Sequence, residues 1–191
     1  MNKIMKKGFS LAEVLVVIAV VAIIGLTITE LFFKSFLGSN KASVISTIKQ
    51  NGQSVLEIMD KTIRAADNVI TVCPGENPDT ILIYKEGIYT RFKVNSEVTT
   101  GPRANGYISS DNKSNCEDPG DPTNETVLTD KSSNKGVSVK PVPTGAFKLI
   151  RQPGFKDVVT IDFLVAPGIL AGETLKSSID PVEFKTTIEL R

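Results

Sequence analysis

The apolar residues of this chain fall into three regimes. Residues 9–29 form a run of 21 interrupted by a single charge, Glu13, and residues 14–26 contain only Val, Leu, Ile, Ala and one Gly. As an α-helix, 21 residues span about 31 Å, the thickness of a bilayer's hydrocarbon core. The run is apolar on all sides rather than along one stripe, so it predicts a membrane helix. Residues 30–37 stay apolar with charges interspersed, and Val44, Ile45, Ile48, Val55, Met59 and Ile63 then recur at spacings of three, four and seven. That spacing predicts an amphipathic continuation. No proline occurs before Pro74. The reading is one long helix over residues 9–66, roughly 85 Å, with Gly25, Gly38 and Gly52 as candidate bends.

Strand signals dominate from Asn68 onward. Residues 80–84 and 88–94 flank Lys85-Glu86-Gly87 and read as a hairpin. Residues 158–165 are rich in β-branched side chains. In the last stretch Val182, Phe184, Thr186, Ile188 and Leu190 alternate with Glu183, Lys185, Thr187, Glu189 and Arg191, one face apolar and the other polar. The expected fold class is α+β, a long helix packed on an antiparallel sheet formed within residues 67–191. Residues 99–143, rich in Gly, Pro, Ser, Asn and Asp, read as a long surface loop region with short strands near Val127 and Val137.

Composition narrows the chemistry. Among 191 residues there is no histidine, which removes His-based triads, His-ligated metals and imidazole acid–base chemistry. No nucleophile or phosphate-loop motif is present either, so no catalytic residue, cofactor or metal is expected, and the chain does not read as an enzyme. The net charge of +1 carries no nucleic-acid signature, and Lys113, Lys131 and Lys135 are balanced by neighbouring acids. Cys73 and Cys116 follow the apolar run, and a bridge between them would contribute about 4 kcal/mol in the chain-entropy model. Two free thiols are the alternative. Glu117, Asp118, Asp121, Glu125 and Asp130 could supply oxygens to calcium but lack a defined loop spacing; a solvated acidic face is the simpler reading.

The N-terminus adds a further signal. Residues 1–8 carry three lysines and no acid, the pattern of a cytoplasm-retained flank. A carboxylate within an apolar membrane segment is costly and calls for a partner. The stretch Gly8-Phe9-Ser10-Leu11-Ala12-Glu13, behind a short basic leader and ahead of about twenty apolar residues, resembles the class III signal sequence of type IV pilins and type II secretion pseudopilins. The resemblance implies a ladle-shaped subunit: a leader at residues 1–8, a membrane or filament-core helix at 9–29, its amphipathic continuation at 30–66, and a β-rich head at 67–191.

It also implies that prepilin peptidase cleaves between Gly8 and Phe9 and N-methylates Phe9. Glu13 then pairs with the terminal amine of a neighbouring subunit and sets filament register. The implied partners are the peptidase, other pilin or pseudopilin subunits, an inner-membrane assembly platform and, before assembly, membrane lipid. The implied location is the cytoplasmic membrane with the head outside, and later a pilus or pseudopilus. Within such a family the long, irregular head favours a low-copy subunit. An adhesin or DNA-uptake pilin acting through residues 99–143, or a signal-anchored extracytoplasmic protein of other function, are the alternatives.

Overall fold

A computed structural model describes residues 10–72, 79–113, 125–132, 136–170 and 177–190. They divide into two units, one within Met1–Ala42 and one within Ser43–Arg191. Helix α1 runs Leu11–Arg64, and its residues from 43 onward belong to the second unit. There Ile48, Gly52, Val55, Met59 and Ile63 are buried, the spacing of four, three, four and four expected of one helical stripe. Burial of each large apolar side chain in that stripe contributes about 1.5–3 kcal/mol relative to exposure. Lys61 and Arg64 lie in the last turn, where cations complement the helix dipole. They also pair with Glu57 and Asp60 one turn back, at 2.6 Å and 2.8 Å. The hydrogen bond from Lys61 lowers the Glu57 pKa, and the same contact raises that of Lys61.

The stripe packs on two antiparallel sheets. The first is a meander of β1 (Asn68–Val72), β2 (Thr80–Lys85), β3 (Ile88–Asn95), β4 (Tyr107–Asp111) and β5 (Thr126–Val127) in sequential order. The second contains β6 (Val137–Pro141), β7 (Phe147–Ile150), β8 (Val158–Pro167) and β9 (Val182–Glu189). β9 pairs with β8 along residues 158–165, while β6 and β7 pair with its residues 163–167 and 158–161. A strand has only two edges, so β6 and β7 lie end to end on the one that β9 leaves. One apolar cluster joins the helix stripe to Val69, Ile81, Ile83, Phe92, Val94 and Ile108 of the first sheet and to Val139, Phe147, Ile161, Phe163, Phe184 and Ile188 of the second. This is the expected α+β arrangement, with the strands divided between two sheets rather than gathered into one.

Direct hydrogen bonds tie the sheets together. The Val139 amide donates to the Gly106 carbonyl at 2.9 Å, the Ala146 amide donates to Asp79 Oδ1 at 2.9 Å, and the Arg151 guanidinium donates to the Val69 carbonyl.

Two details differ from the sequence reading. Gly52 is a packing position, because a Cβ there would overlap the Phe184 ring; α1 continues through Gly25, Gly38 and Gly52 alike. Residues 99–143, read as loop with two short strands, also contain β4. In this region Ile108, Val137 and Val139 are fully or almost fully buried. The polar neighbours that obscured it are buried with their hydrogen bonds made. Thr129 Oγ1 accepts from the Ile108 amide, Ser138 Oγ accepts from the Gly106 amide and donates to Glu97, and Asn105 bridges the Ser132 carbonyl and the Ile169 amide. Satisfied in this way, they cost little to bury.

Candidate functional site

The first described turn of α1 holds a reciprocal pair of contacts. The Ser10 amide donates to Glu13 Oε2 at 2.9 Å, and the Glu13 amide donates to Ser10 Oγ at 3.3 Å. This is a capping box, in which two orphan backbone donors are satisfied by the two side chains. The sequence reading assigned Glu13 and passed over Ser10, although Ser-x-x-Glu ahead of an apolar run is the recognised signature of such a cap. In an apolar medium the arrangement matters more than in water, since an unpartnered N–H there has no solvent to fall back on. Both residues are exposed within their unit.

Behind this cap, every large apolar side chain of residues 11–37 is exposed, including Phe32, Phe33 and Phe36. Among the described residues, α1 is the helix long and apolar enough to cross a membrane. The two threonines that end the apolar run are turned onto the backbone: Thr27 donates to the Ile24 carbonyl and Thr29 to the Gly25 carbonyl, both at 2.8 Å. The first charges after Glu13 are Glu30 and Lys34, which pair at 2.6 Å. A surface of this composition is unfavourable in water and requires lipid or other apolar partners.

The remaining candidate residues fall elsewhere. Gly8, Phe9, Cys73 and Cys116 lie outside the described residues, as do Glu117, Asp118, Asp121 and Lys135. Glu125 accepts a long hydrogen bond from the Tyr107 hydroxyl, and Asp130 accepts from the Ser132 amide and hydroxyl. The Ser132 contacts hold the Asp130 carboxyl below its ordinary pKa. The Lys131 ammonium stands 4.6 Å from the Tyr107 ring centre, and the Lys113 amide donates to Asp111. Among the described residues, no three His, Cys, Asp or Glu side chains converge as metal ligands do.

No curated protein and no solved structure matches the chain. Residues 4–29 match the prokaryotic N-terminal methylation motif. The match takes in Lys6 and Lys7 of the basic flank, the capping box with Glu13 and the apolar start of α1. The motif implies processing by prepilin peptidase and assembly with other pilin subunits, and together with the apolar helix it fits an inner-membrane-anchored pilin. The chain thus carries a prepilin-type motif at the head of a long helix whose far part packs on antiparallel sheets, and it is consistent with a type IV pilin-like protein.

Proposed function

We propose that this chain is a low-copy structural subunit, a minor pilin or pseudopilin, of a type IV pilus or type II secretion pseudopilus. Prepilin peptidase removes residues 1–8 by cutting between Gly8 and Phe9 and methylates the new terminal amine of Phe9. Residues 9–29 hold the subunit in the inner membrane, residues 30–66 continue the helix, and residues 67–191 form an extracytoplasmic head. An assembly platform in the inner membrane then transfers the apolar helix from lipid to the filament. The observation that carries this reading is the match at residues 4–29, with Glu13 as the single acid in an apolar run.

A carboxylate in such a run gains most when a cation reaches it in the dry interior of an assembly. A register that leaves it unpaired is penalised by several kcal/mol, on the order of 3–5 kcal/mol for a broken buried pair. The terminal ammonium of Phe9 in a neighbouring subunit is such a cation. In the unassembled chain the Ser10–Glu13 cap occupies one carboxylate oxygen, Oε2, and the other remains for the partner.

The test is intact-mass measurement of the mature protein, with proteomics of sheared surface filaments. Loss of residues 1–8, a single added methyl and trace stoichiometry in filaments are expected. A mature protein that retains Met1–Gly8 rules the proposal out. Glu13→Ala is expected to be processed normally yet to be lost from filaments.

A further inference from the structure

On the face of the first sheet turned away from α1, a second set of polar side chains is organised independently of the core. The β3–β4 register pairs Arg91 with Asp111, Lys93 with Ser109 and Asn95 with Tyr107. Alternation places all three pairs opposite Phe92, Val94 and Ile108, which point into the core. At the Asn95–Tyr107 end of this row lies a groove of about 310 Å³, lined by Asp79, Lys93, Asn95, Ser96, Val98 and Tyr107 among others. That size is at the lower end of small-molecule sites, roughly 300–1,000 Å³. It suits one ring rather than an extended chain.

The aromatic wall of the groove is held in place. The Tyr107 hydroxyl donates to Glu125 Oε2 at 3.4 Å, and the Lys131 ammonium stands 4.6 Å from the ring centre. Asn95 Nδ2 donates to Ser109 Oγ at 2.9 Å and, at 3.5 Å, to Glu125 Oε1. Its amide hydrogens are thereby spent, and Oδ1 is left as an acceptor. Asp79 Oδ1 accepts from the Ala146 amide, which leaves Oδ2 unspent among the described residues. The Lys93 ammonium and the Ser96 hydroxyl supply donors. Lys93 and Lys131 balance Asp79 and Glu125, so the groove carries no net charge to select an ion.

An aromatic wall, unspent donors and acceptors in one small concavity, and charge neutrality together describe a site for a neutral polyhydroxylated ring. The C–H face of such a ring packs on an aromatic side chain, while its hydroxyls both donate and accept. We propose that this groove binds a neutral sugar residue, with the ring against Tyr107 and its hydroxyls on Asp79, Lys93, Asn95 and Ser96. The site belongs to the head alone and stands whether or not the chain is a filament subunit.

The experiment uses the full chain in micelles of a detergent without a sugar headgroup. Amide shifts are followed as the methyl glycosides of glucose, galactose and N-acetylglucosamine are added, with galacturonate as the charged comparison. At least one glycoside is expected to give saturable shifts confined to residues 79, 93–98 and 107, with a Kd of about 1–10 mM. Tyr107→Ala is expected to weaken binding by about tenfold or more, and Tyr107→Phe to retain it. Should Tyr107→Ala not fold, Lys93→Ala, at an exposed position, carries the test through a several-fold loss with unchanged melting. The absence of saturable shifts at these amides up to about 50 mM of every glycoside overturns the proposal. So does tighter binding of galacturonate, or unchanged affinity in Tyr107→Ala or, where that variant does not fold, in Lys93→Ala.

Discussion

The tip of the Phe184 ring occupies the place where a Cβ on Gly52 would stand. Strand β9 therefore approaches α1 as closely as it does because one helical position lacks a side chain. Phe184 is also stacked on Phe163 of β8, with ring centres 5.6 Å apart, so the ring is held from two sides.

Gly52→Ala should destabilise the head even though alanine is the better helix former. The propensity gain of about 1 kcal/mol is set against overpacking that costs about 1–3 kcal/mol, and the close approach to a ring already held by Phe163 puts the balance on the unfavourable side. Chemical denaturation of the full chain in detergent reads the difference. The double variant Gly52→Ala/Phe184→Leu should lose less than the sum of the single changes, since the two residues share one space. A Gly52→Ala protein at least as stable as the parent would contradict this packing.

Arg91 and Asp111 form a buried two-point ion pair. Nε donates to Oδ1 at 3.0 Å and the Nη2 group to Oδ2 at 2.5 Å, with the side chains 3% and 9% exposed. Asp111→Ala leaves a buried guanidinium without its carboxylate and should cost roughly 3–5 kcal/mol, whereas Arg91→Met/Asp111→Leu should recover most of that loss. Equilibrium unfolding of the single and double variants checks both expectations.

Glu86 and Gly87 connect β2 to β3 with φ of 47° and 86°, the left-handed pair of a two-residue hairpin turn. Asp67 Oδ2 accepts from the Glu86 amide at 2.8 Å, which helps hold a residue type that rarely adopts this conformation. Glu86→Asn keeps that hydrogen bond and relieves the backbone, so it should stabilise by about 0.5–1 kcal/mol. Thermal melting should show a rise of a few degrees.

How far these features were legible in the sequence depends on what each residue spends its side chain on. The stripe Ile48, Val55, Met59 and Ile63 was legible because apolar spacing alone defines it. The hairpin at Glu86-Gly87 and the alternation through Phe184, Ile188 and Leu190 were legible for the same reason. Strand β4 was not, because Tyr107-Ile108-Ser109-Ser110-Asp111 offers a single aliphatic residue, while Tyr107, Ser109 and Asp111 meet Glu125, Asn95 and Arg91 from far along the chain. Gly52 looked like a weak point of the helix, since nothing nearby in sequence announces Phe184. At the N-terminus Glu13 stood out as the one charge in an apolar run, while Ser10, its capping partner, looked like an ordinary small polar residue.

Tyr107 should titrate later than an ordinary phenol. Burial first, then the charge and hydrogen bond of Glu125, raise its pKa above the ordinary phenol value. The fold therefore favours the neutral phenol. Its stabilisation is fully present below the unfolded-state value of about 10 and is lost as pH rises through the higher folded value. Absorbance titration of tyrosinate should show a late component that disappears in Tyr107→Phe and moves to lower pH in Glu125→Gln.

The partners of the helix stripe have a consequence for the order of events in synthesis. Ile48 to Ile63 emerge early, but Phe184 and Ile188, which complete their packing, lie on the last strand, and β8 has no partner on its second edge until β9 arrives. Such non-local closure makes folding slow. While the chain is incomplete, the stripe and the β8 edge are both open to wrong partners. Yield of this head is thus set by how long the unfinished chain waits for its final strand, and a truncation just before Val182 should be degraded rather than accumulate as a smaller folded domain.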